Sequence, residues 1–289
     1  MTVEQASHRR IGVGHVAVAA GAAVALGATV AYRARFVTPY RPRLERVSFV
    51  VPPGHQGLDG IRIGFVTDTH VGPLVSVGNL ERGLDLLRAA QPDLYLLGGD
   101  FISDSPRYAD LASKSLGALA DEAPLGAIAV LGNHDVSNDA CRAERVLRQA
   151  GIIVLRNAAH RVVTDGGDLW IAGIDENILA VGDPAATFAG IPPGAAVLAL
   201  WHEPDWADDV AALGAFAQLS GHSHGGQVRL PMVGTPFAPP GGRRYSSGLH
   251  DASGMPVYTS RGLGFYRPPV RLNCPPEVTL VTLAIPSGA

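Results

Sequence analysis

Lysine is almost missing: of 23 basic residues only Lys114 is a lysine, and the rest are scattered arginines. The formal net charge is −3, so there is no basic field to draw in long nucleic acid through its phosphates. Two cysteines, Cys141 and Cys274, are too few for a disulfide scaffold and lack metal-type spacing. A single bridge between them would need an oxidising compartment. Outside the N-terminal tail there is no internal repeat and no low-complexity block. Charged residues make up only 17% against 47% hydrophobic, which excludes disorder along the whole length. The 289 residues suffice for one large domain or two small ones.

The tail is the first positive feature. Ile11 to Tyr32 contains no charge and a single histidine, His15, and is flanked by Arg9-Arg10 and by Arg33 and Arg35. Its 22 residues, at a helical rise of ~1.5 Å each, match a hydrocarbon core of ~30 Å. A transmembrane helix retained as an anchor is therefore expected over residues 1–36, with a cleaved export signal as the alternative. Membrane side stays open, because Arg33, Arg35, Arg41, Arg43 and Arg46 cluster just after the run and favour a cytoplasmic C-terminal side. Residues 37–57, with Pro39, Pro42, Pro52 and Pro53 around Val47–Val51, read as a linker and a first strand, possible at a sheet edge.

From residue 58 onward the pattern is that of a single catalytic domain. Short apolar runs alternate with helical stretches: IRIGFV, then Leu80, Leu84 and Leu87 at helical spacing, DLYLL, a helix about Ala109–Ala120, AIAVL, and a helix over Asp139–Ala150. Short strands separated by Gly and Pro turns follow, Gln227–Leu230 among them and Val278–Ala284 last. Two packed sheets with helices on the outer faces fit this order.

Polar residues gather where the strand-like runs end: Asp68-Thr69-His70, Gly99-Asp100, Gly132-Asn133-His134-Asp135, His202, and Gly221-His222-Ser223-His224. Each has an ordinary reading of its own. Asp-x-His and Asn-His-Asp suit turns, Asp100 suits a helix cap, and His202 suits a satisfied histidine at a strand end. The conjunction changes that reading. Together the segments hold five of the ten histidines and, beside Asp135, two carboxylates and an amide oxygen. Mixed nitrogen and oxygen donors without thiolate fit Mn, Fe or Zn, and seven ligands exceed what one tetrahedral ion needs. Two divalent metal ions sharing a carboxylate would use them all.

In this order the segments resemble the calcineurin-like metallophosphoesterases. Tyr258–Gly264 (YTSRGLG) and Arg271–Glu277 (RLNCPPE), together with the N-terminal hydrophobic segment, are similar to the bacterial YkuE-like branch of that family. The resemblance implies a four-layer α/β/β/α sandwich. It assigns Asp68, His70 and His224 to a first metal, Asn133, His202 and His222 to a second, and Asp100 to both. It makes His134 the catalytic acid beside the scissile ester, with metal-bound hydroxide as nucleophile. In protein phosphatases of this superfamily an acid three residues after the bridging aspartate supports that histidine. Here that position is Ser103, and Asp104 follows it. Arg261, among glycines that could form an anion-holding nest, is a candidate substrate contact, with a structural turn as the equal reading.

The expected function is a membrane-anchored phosphoesterase of the bacterial cell membrane, with the extracytoplasmic side favoured by the resemblance. The expected substrate is a small-molecule or lipid phosphoester, either monoester or diester. The alternatives are a nucleotide phosphodiesterase and a non-catalytic envelope protein that binds through the same fold.

Overall fold

The computed structural model describes residues 13–103 and 105–286. The Arg9-Arg10 pair and Asp104, both weighed above, lie outside these residues. In chain order the elements are α1 (Val13–Phe36), β1 (Arg43–Val50), β2 (Arg62–Val66), α2 (Val77–Ala90), β3 (Leu94–Leu97), α3 (Ala109–Glu122), β4 (Ala127–Ala129), α4 (Asn133–Gln149) and β5 (Ile153–Val154). There follow β6 (Ala158–Thr164), β7 (Gly167–Ile174), α5 (Pro184–Phe188), β8 (Ala196–Trp201), α6 (Ala207–Ala212), β9 (Ala217–Ser220), β10 (Gly248–Ala252), β11 (Met255–Thr259) and β12 (Glu277–Ala284).

Strand alternation builds the layers. In β3, Leu94 and Leu96 point into the core between the two sheets, while Tyr95 and Leu97 point to the core under α2, α3 and α4. In β8, Ala196, Leu198 and Leu200 face the same inter-sheet core, while Val197, Ala199 and Trp201 face the core shared with α6. Strands buried on both faces read as continuous apolar runs, and both of these do. Full burial of one such leucine contributes about 1.5–3 kcal/mol. The order is helices, sheet, sheet, helices, as the sequence implied.

The first sheet runs β1-β12-β2-β3-β4-β5 and the second β10-β11-β9-β8-β7-β6. β2 to β5 pair in parallel through helical crossovers, and so do β7, β8 and β9. Their carboxyl ends therefore lie on one rim of each sheet, the place where open α/β sheets gather chemistry. β1 forms an edge strand. β12 lies between β1 and β2, parallel to the first and antiparallel to the second, so the end of the chain completes the sheet its beginning started.

Several local expectations change. Residues 227–230 form no strand, only isolated bridges of Val228 to Leu272 and Leu230 to Gly234. α4 starts six residues before the expected helix, because Asp135 accepts a hydrogen bond from the Gly132 amide and caps an extra first segment. That segment ends where Asp139 turns extended (φ −173°) and accepts from the Arg142 amide. Cys141 is exposed, Cys274 is buried, and both are free thiols.

α1 is a helix of 24 residues, as the tail's composition favours. Among the described residues, however, no helix is long and apolar enough to cross a membrane, so the expected transmembrane helix is not supported. The physical reason is composition: alanine and glycine dominate α1, and small side chains carry little apolar area. Its C-terminal end is fastened to the domain, with Ala34 buried and its carbonyl accepting from the Arg271 amide at 2.8 Å.

Candidate metal centre

Five of the seven expected ligands sit in left-handed backbone: Asp68 (φ 53°), His70 (46°), Asp100 (55°), His222 (65°) and His224 (52°). For residues other than glycine this costs of order 1–3 kcal/mol each and persists only where surrounding contacts impose it. Those contacts are identifiable. The Asp68 and His70 amides donate to the Gly99 and Asp100 carbonyls at 2.8 and 3.0 Å. The His222 amide donates to the Asp68 carboxylate at 3.1 Å, and the His134 amide to Asp100 Oδ1 at 2.8 Å. Asp135 clamps two loops, its Oδ1 accepting from the Phe101 amide at 3.0 Å and its Oδ2 from the Gly132 amide at 3.1 Å. Gly132 and Gly221 admit the carboxylates of Asp100 and Asp68. A Cβ at either position would collide with those oxygens.

These loops bring two triads together, Asp68, His70 and His224 in one and Asp100, His202 and His222 in the other, with the ligand atoms of each within 4.8 Å of one another. A third group of the same compactness, His70, Asp100 and His134, overlaps both. His70 Nε2 and His224 Nε2 face each other at 2.9 Å, and His224 Nε2 lies 3.4 Å from Asp68 Oδ1. Asp100 Oδ2 stands between the triads, 3.6 Å from His70 Nε2 and 3.2 Å from His202 Nε2. Asn133, expected as a neutral ligand, has its Oδ1 2.9 Å from His222 Nδ1.

The far nitrogens of His202 and His222 are held as metal-ligating histidines require. His202 Nδ1 donates to the Gly98 carbonyl at 2.7 Å, and His222 Nε2 donates to the Pro240 carbonyl at 2.8 Å. His70 Nδ1 lies 3.0 Å from Ser103 Oγ, so Ser103 supports His70 rather than His134. Arg271, fully buried, sets a guanidinium nitrogen 3.3 Å from His224 Nδ1.

Burial governs the charges. It pushes His70 down to about 3, His222 down to about 4 and His224 well below its usual range, so these imidazoles stay neutral with lone pairs available. Burial, with Asp100 nearby, raises Asp68 to about 7. It also opposes ionisation of Asp100, yet His202 and His70 hold that carboxyl well below the usual carboxylate range. His202, despite its burial, is raised well above its usual value by Asp100. The donor set fits divalent cations: nitrogen and oxygen ligands, no thiolate, and the neutral imidazoles of His70, His222 and His224 around an ionised aspartate. His202 Nε2 is moreover buried and directed at Asp100 Oδ2, 3.2 Å away.

His134 stands half-buried at the start of α4, its ring centroid 5.0 Å from that of His70 and 4.7 Å from that of Tyr266. It lines a cleft of about 1170 Å³ together with Asp100, Asn133, His222 and His224. Arg261 is placed differently from the expected substrate contact. Its guanidinium bonds the carboxylates of Glu45 and Glu277 and the Pro275 carbonyl, and it does not line the cleft. It ties β1 to β12, so its charge is compensated within the frame. Asp135, Ser103, Arg271 and Tyr266 were missed as supporting residues. Asp135 and Arg271 did lie inside the quoted motifs, which was the only signal for them.

Comparison with known proteins agrees with this geometry. Residues 61–226 match the calcineurin-like phosphoesterase family. The chain is 30% identical to the metallophosphoesterase YkuE of Bacillus subtilis (strain 168), over 92% of this chain and 93% of that protein. It is 35% identical to the phosphodiesterase YaeI of Escherichia coli (strain K12), over 77% of this chain and 82% of that protein. A zebrafish (Danio rerio) transmembrane protein with a metallophosphoesterase domain is 27% identical, over 84% of this chain and 57% of that protein. The chain belongs to the calcineurin-like phosphoesterase family and is a metal-dependent hydrolase of phosphoric esters.

Proposed function

We propose that this chain hydrolyses a phosphodiester, and that α1 holds it at a lipid surface where a lipid-linked substrate is within reach. The observation that carries the hydrolytic part is the position of Asp100 Oδ2, 3.6 Å from His70 Nε2 in one buried triad and 3.2 Å from His202 Nε2 in the other, at one open cleft. In this reading Asp68, His70 and His224 hold one divalent ion, Asn133, His202 and His222 the other, and Asp100 both. When bound, two such ions supply the charge that polarises a phosphoryl oxygen and lowers the pKa of water.

The protein's own groups do the rest. His134 lies within the cleft, outside the two ligand triads, and is placed to give a proton from its ring to the departing alkoxide. General acids of this kind contribute typically 10²–10⁴-fold. Tyr266 packs on the His134 ring and limits its rotation. Ser103, the Gly98 carbonyl and the Pro240 carbonyl orient the imidazoles of His70, His202 and His222, so ligand geometry is set before substrate arrives. The diester preference draws on the similarity to YaeI and on a cleft roomy enough for groups on both sides of a phosphate.

The lipid part draws on α1. Val18, Val24, Leu26, Val30 and Tyr32 are all exposed, and at about 100° per residue they point to every side of the helix. The similarity to transmembrane relatives points the same way.

A panel of artificial monoesters and diesters, assayed on chelator-treated protein with Mn, Fe or Zn restored, tests the reading. Diester turnover that returns with metal is expected. Turnover indifferent to metal, or confined to monoesters, would refute it. Fractionation of the full chain and of a chain without residues 1–36 tests the anchor, the full chain alone being expected with membranes.

A further inference from the structure

The outer wall of the cleft has an unusual composition. From Val210 to His250 there is no aspartate or glutamate, while Arg229, Arg243 and Arg244 fall inside this stretch. Its tip is apolar and projects into solvent: Met232 is 106% exposed, Val233 69% and Phe237 76%. The tip is a tight reversal, Leu230 and Gly234 exchanging backbone hydrogen bonds at 2.8 and 2.9 Å. Arg244 is paired with Asp208, but behind the tip the side chains of Arg229 and Arg243 reach, among the described residues, only neutral oxygens, those of Ser247 and the Ala238 carbonyl. Apolar side chains in front of arginines without carboxylate partners match a bilayer, whose acyl region accepts the first and whose anionic headgroups accept the second.

Position strengthens the match. The Arg229 amide donates to the Leu272 carbonyl and the Leu272 amide to the Gln227 carbonyl, each at 2.9 Å. One residue earlier, the Arg271 amide holds the end of α1 through Ala34. Tyr40, just after α1, meets Phe265 edge-on at 5.5 Å. The apolar tip, the mouth of the cleft and the root of α1 are thus stitched into one face.

We propose that the turn at residues 230–237 is a second lipid-docking element, which with α1 sets the mouth of the cleft against a bilayer bearing anionic headgroups. This rests on the lipid reading of α1 given above. It adds an orientation: the substrate phosphate is taken from the headgroup layer and not from bulk water.

The test uses the full chain with Cys141→Ser, leaving Cys274 buried, and an environment-sensitive fluorophore on Met232→Cys. The control is the same label on Val163→Cys, at the β6–β7 turn on the opposite end of the second sheet. With vesicles of equal phosphatidylglycerol and phosphatidylcholine, the label at 232 is expected to shift blue and brighten about threefold, with no change at 163. The double variant Met232→Asp/Val233→Asp should bind these vesicles about tenfold more weakly while hydrolysing a soluble diester at the parental rate. Replacing Arg229 and Arg243 with glutamine should remove most of the preference over pure phosphatidylcholine vesicles.

A chain that floats with vesicles while the label at 232 is silent would overturn the proposal and leave α1 as the sole contact. Equal responses at both labels would also overturn it, as would the absence of any vesicle binding. Concentration-dependent dimers in that last case would assign the patch to a second copy. Failure of the parent to hydrolyse any diester would sink the hydrolytic reading alone, because the fluorescence does not depend on turnover.

Discussion

On the floor of the cleft Asp68, His70, Asp100 and His202 are at most 1% exposed, whereas across the mouth Met232 and Phe237 stand almost wholly in solvent. The floor is ionisable, held in left-handed backbone and cross-braced by bonds between residues 30 to 154 positions apart. The wall is apolar and basic, with a tip braced mainly by its own short reversal. Chemistry that depends on sub-ångström placement occupies the first region, and contacts that need only area and charge occupy the second. A change on the floor should therefore be felt in metal content and turnover, and a change on the wall in what the enzyme can reach.

The sharpest way to break this contrast is Asp100→Asn. Even residues that only orient metal ligands typically cost 10–100-fold, so loss of a carboxylate shared by both triads should lower turnover at least about 100-fold and deplete both metals. Metal analysis together with rates checks it, and a variant with full metal content would refute the sharing. His134→Ala should reduce turnover by about 10²–10⁴-fold while both metals remain. Loss of metal in that variant would move His134 from acid to ligand, a role its proximity to His70 and Asp100 makes worth excluding.

A smaller effect concerns pH. Burial raises Asp68 and Asp135 to about 7 and Glu203 to about 8, so in the folded metal-free chain these acids hold protons that the unfolded chain has released. Stability should accordingly fall as pH rises from about 6.5 to 8. The depressed histidines oppose the fall up to about pH 7, where imidazoles of the unfolded chain still hold protons, and add no slope above that. Thermal melts of chelated protein across this range should show the fall, and metal should flatten it by keeping Asp68 ionised. A flat apo profile would mean that these carboxyls are better solvated than their burial implies.

The sequence announced the floor because its ligands come as short motifs at the ends of apolar runs, and β3 and β8 were legible because strands buried on both faces are continuously apolar. Asp135, Ser103 and Arg271 were harder, since each acts on a partner brought close only by the fold: Asp135 on residue 101, Ser103 on His70, Arg271 on His224. Arg261 was misread for the same reason, its two carboxylates lying 216 positions before it, at Glu45, and on β12, at Glu277. Residues 227–230 looked like a strand from composition alone, but no neighbouring strand is there to pair with them. The tail read correctly as helix, while apolar length on paper did not translate into a helix able to span a bilayer.

The place of β12 bears on the order of assembly. While the chain is being synthesised, β2 through β5 can pair as they emerge, but the flank of β2 and the whole of β1 must wait for the last strand. Arg271 and the cap over His224 arrive in that same final stretch. The cation cradle is thus finished only after β12 has emerged, so a ribosome-bound chain that stops short of Arg271 would carry every ligand motif and yet lack the guanidinium beside His224.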